Sequence, residues 1–126
     1  LDPDFSIACT LLQSTGVDEE LMGGTWTVFA PMNDAFEAAP PFPEGTDIGF
    51  VLRGHMVPGV AIPFEDLVCT ERIEMANGED TRTVCRDDTT YQKGKGNSDD
   101  IRPEIISFNN LACNGIIHVV DQVILP

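Results

Sequence analysis

The chain has 126 residues, 42% of them apolar, with 21 acidic against 7 basic side chains and a formal charge of -14. That length suits one domain with a buried core, and the apolar fraction excludes a disordered chain. The charge repels phosphate backbones and anionic lipid surfaces, which argues against nucleic acid as a partner and against membrane binding by simple electrostatics. No apolar run approaches the roughly 20 residues that span a bilayer, and no signal-like segment opens the chain. Because it starts at Leu1 rather than Met, the sequence reads as a processed protein or a domain cut from a longer one. Any membrane association would then run through an anchor outside it.

Asp2 is placed to cap a helix whose first position is Pro3, where the missing N–H costs nothing, and Phe5, Ala8, Cys9 and Leu12 share one face. Gly16 stops it. A shorter helix is predicted over Asp18–Met22, with acids in its first turn, and Thr25–Ala30 has the β-branched and aromatic content of a strand closed by Pro31. Asn33 is read as the cap of a brief helix through Phe36, and Ala38–Gly45, with three prolines, as a loop. Asp47 caps another short helix, and Pro63–Leu67 supply one more helical turn.

After Leu67 the pattern changes to strands. Val68–Met75 and Glu79–Arg86 flank Ala76-Asn77-Gly78, a strong hairpin signal. Thr89–Gln92 and Ile105–Phe108 are two more short strands, separated by the polar stretch KGKGNSDD. The final segment, NGIIHVVDQVILP, reads as a strand running to Pro126. Both its faces are apolar, as expected of a central strand covered on each side, and its polar His118, Asp121 and Gln122 then need partners. Helices in the first half and strands in the second, with no βαβ alternation or repeat, predict a single α+β domain over 1–126.

Four cysteines allow three pairings, and no C-x-x-C spacing points to zinc or a redox motif. If Met75 pairs with Glu79 across the hairpin, six steps outward on each side bring Cys69 opposite Cys85, within disulfide reach. Cys9 and Cys113 are then left for each other. Two such bonds favour a secreted or surface protein.

Three blocks, TVFAPMNDAF (27–36), LRGHMVPG (52–59) and the terminal NGIIHVVDQVILP, resemble in order and spacing the fasciclin domain of extracellular adhesion proteins. The resemblance covers nearly the whole chain. It implies a wedge with a β-sandwich core, short helices packed along one side, and an adhesion or matrix module without a catalytic centre. It also brings the segments of Asp34 and His55 near each other, implying a structural polar cluster between them. Met32 stands where the family usually has Thr or Ser, and Gly54 where it has an aromatic residue before the histidine. The Phe36–Leu52 connection is shorter and richer in proline than usual. Asn109-Asn110 occupies the place of an Asp-Ile pair implicated in integrin binding in some animal members, so integrin recognition is not carried over.

The two histidines, His55 and His118, fall in different blocks, and neither a phosphate loop nor HExxH nor Gly-x-Ser-x-Gly occurs. We read Glu19-Glu20, Asp87-Asp88 and Asp99-Asp100 as acidic surface, and Asn97–Asp100 as a solvated loop rather than a calcium site. No catalytic residue, cofactor or metal ligand is assigned. The expected function is a secreted or cell-surface adhesion module whose surface binds an extracellular protein or glycan, with self-association as a further mode. The alternative is a carrier or sensor with a pocket for a small apolar ligand, built from exposed-looking Phe42, Phe50, Met56 and Phe64. An adhesive surface this acidic must meet a basic partner or be bridged by divalent cations.

Overall fold

Gly115–Val120 (β7) pairs on one side in parallel with Trp26–Pro31 (β1) and on the other, antiparallel, with Ile105–Ala112 (β6) in the computed structural model, which describes residues 5–39, 42–100, 102–112 and 115–126. Met56–Pro58 (β2) adds to the far side of β1, so the strand order is β2-β1-β7-β6 and β7 is central. Its Ile116, His118, Val119 and Val120 are all buried. A second, antiparallel sheet is formed by Arg72–Glu74 (β3), Asp80–Arg86 (β4) and Thr89–Gly94 (β5). Between the sheets lie Phe29, Val57, Met75, Ile105, Val120 and Ile124. Of the four α-helices among the described residues, Ser6–Thr15 (α1), Val17–Leu21 (α2) and Ile48–Arg53 (α4) pack around Val17, Leu52 and Met56 with Leu11, Leu12, Trp26 and Val28, whereas Asn33–Ala38 (α3) packs through Ala35 against Val51 and Val123. The protein is thus an α+β domain with two sheets and a helical layer.

Several predicted boundaries move for identifiable reasons. Residues 1–4 lie outside the described residues, and with them the proposed Asp2 cap. Gly16 ends α1 in the left-handed conformation expected of it. Asn33 does not cap α3. It is that helix's first residue, and its side chain accepts from the Ile7 N–H and donates to Ser6 Oγ, fastening α3 to α1. Asp47 does cap α4, accepting from the Phe50 N–H at 3.1 Å. Pro31 is the last residue of β1, tolerated because β2 accompanies β1 only as far as Val28, leaving β7 as the neighbour there.

The hairpin keeps the predicted register: the Met75 N–H donates to the Glu79 carbonyl at 2.8 Å, and Gly78 takes a φ of 84°. β3 is nevertheless shorter than Val68–Met75, since Thr70 turns to a φ of 73°. Cys69 and Cys85 are joined by a disulfide with α-carbons 5.6 Å apart. Cys9 is half-buried and bonded to no other described cysteine, and Cys113 lies outside the described residues.

The last segment departs most from expectation, because the β7 ladder ends at Val120 rather than near Pro126. Asp121 turns the chain, accepting from the Glu104 N–H. Val123 and Ile124 still enter the core, so their segment's peptide groups need other partners. The Asn97 amide donates to the Val123 carbonyl and accepts from the Gly94 and Leu125 N–H groups, while the Ile124 N–H donates to His55. Gly94 is required where this tail crosses β5, since a Cβ there would collide with the Leu125 carbonyl oxygen and Ile124. Replacing Gly94 by Ala should cost about 1 to 3 kcal/mol, the usual range for overpacking a close contact. Denaturant unfolding checks this, and an unchanged midpoint would show that the tail is not held against β5.

Candidate functional site

His55 sits just beyond α4, 3% exposed, and its ring is spent on the main chain. Nδ1 donates to the Val51 carbonyl at 2.9 Å, and Nε2 accepts from the Ile124 N–H at 2.9 Å. Asp34 is exposed on α3 and takes no part. The predicted Asp34–His55 cluster is therefore not formed, because a ring closed on two backbone partners has no nitrogen left for a carboxylate. His118 is fully buried on β7 and uses the opposite tautomer. Its Nε2 donates to the Ile62 carbonyl at 2.8 Å and its Nδ1 accepts from the Asn109 N–H at 3.1 Å. Burial is the main influence on both rings. It pushes His55 down to about 4 and lowers His118, in each case against a carbonyl hydrogen bond that favours the charged form.

Asn109 occupies a distortion of β6, with a φ of 59° that Asn tolerates better than most residues. Its Oδ1 accepts from the Phe64 N–H at 2.8 Å and its Nδ2 donates to Glu65 Oε1 at 2.7 Å. The side chain thereby holds the helical turn Phe64–Asp66 against β6. Gly54 also has a local reason. A Cβ there would lie 2.8 Å from the Asn77 amide nitrogen, which donates to the Phe50 carbonyl. The hairpin loop thus fills space that an aromatic side chain would need.

The aromatic pocket is not assembled. Met56 is 1% exposed and belongs to the core beside Leu52, Phe42 packs near Ala35, Val51 and Val123, and Phe64 stacks on Phe108 with ring centroids 4.0 Å apart. These side chains serve separate parts of the core, which is why they do not converge on one cavity. Three exposed apolar side chains, Ile106, Phe108 and Leu111, lie on β6, and Met22, Val60 and Val68 are exposed elsewhere.

The outer face of the three-stranded sheet holds a feature that composition conceals. Cross-strand register places Arg72 opposite Arg82 and Arg82 opposite Lys93. With Arg86, Lys95 and Arg102 they line an open groove of about 440 Å³, which therefore collects six of the chain's seven lysines and arginines. The seventh, Arg53, pairs with Glu20 on the helical side at 2.6 Å. Asp80 and Asp99 are the groove's carboxylates. The net charge of -14 gives no hint of this clustering. The signal lay in the hairpin register, which was available from the same argument that placed Cys69 opposite Cys85.

A parallel strand pair at the centre of one sheet, a second antiparallel sheet and a helical layer define the α+β architecture of this chain. The family model for the Fasciclin domain matches residues 3–126, and the chain belongs to that family. It is 32% identical over 131 residues to Protein sll1483 of Synechocystis sp., covering 97% of this chain and 67% of that protein. It is 27% identical to Stabilin-2 of Rattus norvegicus and 26% identical to Transforming growth factor-beta-induced protein ig-h3 of Sus scrofa. These matches cover 91% and 100% of this chain but only 8% and 18% of those proteins. Among solved structures, the FAS1 domain pair of the insect cell adhesion molecule Fasciclin I superposes with a TM-score of 0.69 at 14% identity, over 91% of this chain and 43% of that one.

Two outcomes test this account. The His55 ring should stay neutral as pH falls through 6.5 and titrate only near 4. Since folding lowers its proton affinity, it contributes about 3 kcal/mol above pH 6.5 that is lost between 6.5 and 4. Imidazole resonances decide this, and a ring titrating at 6.5 would show it open to solvent. Asn109→Asp should lower the melting temperature at pH 7, where two carboxylates would face each other, and recover at acid pH as they protonate. Equal stability at pH 7 would mean the Asn109–Glu65 contact does not hold the Phe64 turn.

Proposed function

We propose that this fasciclin domain is an extracellular adhesion or matrix-interaction module that occupies the chain as a single domain and binds protein or glycan partners through its surface without catalysis. The observation that carries the reading is the match of the Fasciclin domain model along residues 3–126, joined to a fold shared with a domain pair from a cell adhesion molecule. The histidines support it, since both rings are satisfied by main-chain groups and buried away from solvent. The Cys69–Cys85 disulfide suits an oxidising compartment. The same reading pairs Cys9 with Cys113, a bond closing a loop of about 100 residues and contributing about 4 to 5 kcal/mol in the chain-entropy model.

Cells should attach to surfaces coated with the folded domain several-fold better than to the reduced, denatured chain. Attachment should rise with millimolar calcium and fall with a chelator wherever acidic surfaces have to be bridged. Equal attachment to folded and denatured chain defeats the adhesion reading. Peptide mapping without reductant should recover Cys9 linked to Cys113, and a free Cys9 thiol in protein secreted from cells would remove that bond from it.

A further inference from the structure

We infer that the groove on the outer face of the three-stranded sheet binds an anionic glycan segment, whose sulfate or carboxylate groups are held by the Arg72–Arg82–Lys93 row. The inference deepens the adhesion reading and takes its extracellular setting from it.

Adjacent strands lie about 4.8 Å apart, so a row across three strands puts three cations within roughly 10 Å. Like charges directly opposite each other destabilise a sheet, and here the cost is incurred twice in succession, at Arg72–Arg82 and at Arg82–Lys93. In a chain with three acidic residues for every basic one, carboxylates were abundant for these positions. Among the described residues Arg72, Arg82 and Arg86 nevertheless have no carboxylate within 4.0 Å. Within the row, Lys93 is 3.7 Å from Asp99, whose side chain is 88% exposed, and beside it Lys95 pairs with Glu79 at 3.2 Å. Such exposed pairs are weak and exchange readily for a better anion. Arg102 is oriented by its contact with the Tyr91 ring, 4.9 Å from guanidinium carbon to centroid.

The lining also selects the class of ligand. Four of the six cations are arginines, whose planar forks suit the paired oxygens of sulfate and carboxylate. The rest is three threonines, Gly94, Cys85 and the carboxylates Asp80 and Asp99, with Val84 as the apolar side chain, so the cations outnumber the carboxylates three to one. A protein partner would ordinarily anchor on a large apolar or aromatic group, and none of the large exposed apolar side chains among the described residues lines the groove. A long, rigid polyanion such as duplex nucleic acid would extend past the groove into the field of a chain carrying a charge of -14. A short, flexible anionic saccharide avoids both difficulties.

The test uses the whole 126-residue chain on immobilised heparin, with hyaluronan as a carboxylate-only arm. Retention at low salt and release by about 0.5 M sodium chloride, where screening shortens the reach of charge, is the expected result. Arg72→Gln/Arg82→Gln/Lys93→Gln should weaken binding at least about tenfold and flatten its salt dependence, while Arg53→Gln leaves both unchanged. Removing the repulsive row should leave the melting temperature equal or higher. Should the triple variant misfold, protection of Lys93 and Lys95 from amine acylation by heparin in the wild-type chain serves instead. Failure to bind either glycan, or binding that neither the triple variant nor acylation locates in the groove, overturns the inference. If cells still attach to the domain in that case, the adhesion reading stands without it. If glycans fail but the chain self-associates and the triple variant abolishes this, the groove belongs to the acidic face of a second copy and the glycan assignment is wrong.

Discussion

The parallel pairing of β1 with β7 is the constraint on which this fold depends. Trp26 pairs with Gly115 and Pro31 with Val120, so two segments nearly ninety residues apart run side by side in the same direction. A parallel pair cannot be closed by a tight turn, and here everything from α3 to β6 forms the crossover. At Gly115 the approach leaves no room for a side chain, since a Cβ would meet the Trp26 carbonyl oxygen. Once the pair is formed, β2 and β6 extend it outward, the helices cover Trp26 and Val28 on one side, and the second sheet closes over Phe29 and Val120 on the other.

A second economy concerns the main chain. Where strands end but burial continues, side chains take over the hydrogen bonding. Asn97 and His55 together satisfy the Val123–Leu125 segment, and Asn109 with His118 does the same where β6 is distorted and the Phe64 turn arrives. The two histidines carry their proton on opposite nitrogens because each faces one carbonyl and one N–H in the reverse order. Protonating either ring would turn an acceptor into a donor aimed at an N–H, so their neutrality is geometric as well as dielectric.

Much of the architecture was legible in the sequence where local chemistry decides. Gly16, Asp47 and Ala76-Asn77-Gly78 mark a helix end, a helix cap and a hairpin, and each behaves accordingly. The central place of β7 followed from its two apolar faces. What was not legible depends on distant segments. The apolar run through Leu125 looks like continuous strand, yet Asp121 finds a partner in Glu104 and the chain leaves the sheet. Met56 and Phe64 read as exposed because their neighbours in sequence are loops, whereas their neighbours in space are Leu52 and Phe108. His55 was expected to meet a carboxylate, and the backbone reached it first. The groove lies between these cases, since its central residue, Arg82, is placed by hairpin arithmetic while Arg102 arrives from a separate segment.

Gathering six cations on one sheet face leaves the remaining surface almost wholly anionic, with Arg53 as the cation outside the groove. Such a molecule has an uneven charge distribution, and so a dipolar component, as well as a net charge. Near an anionic polymer or cell coat the monopole pushes it away while the dipole exerts a torque that turns the sheet face forward, so successful encounters are orientationally filtered before contact. The domain would then approach slowly and arrive with one face leading.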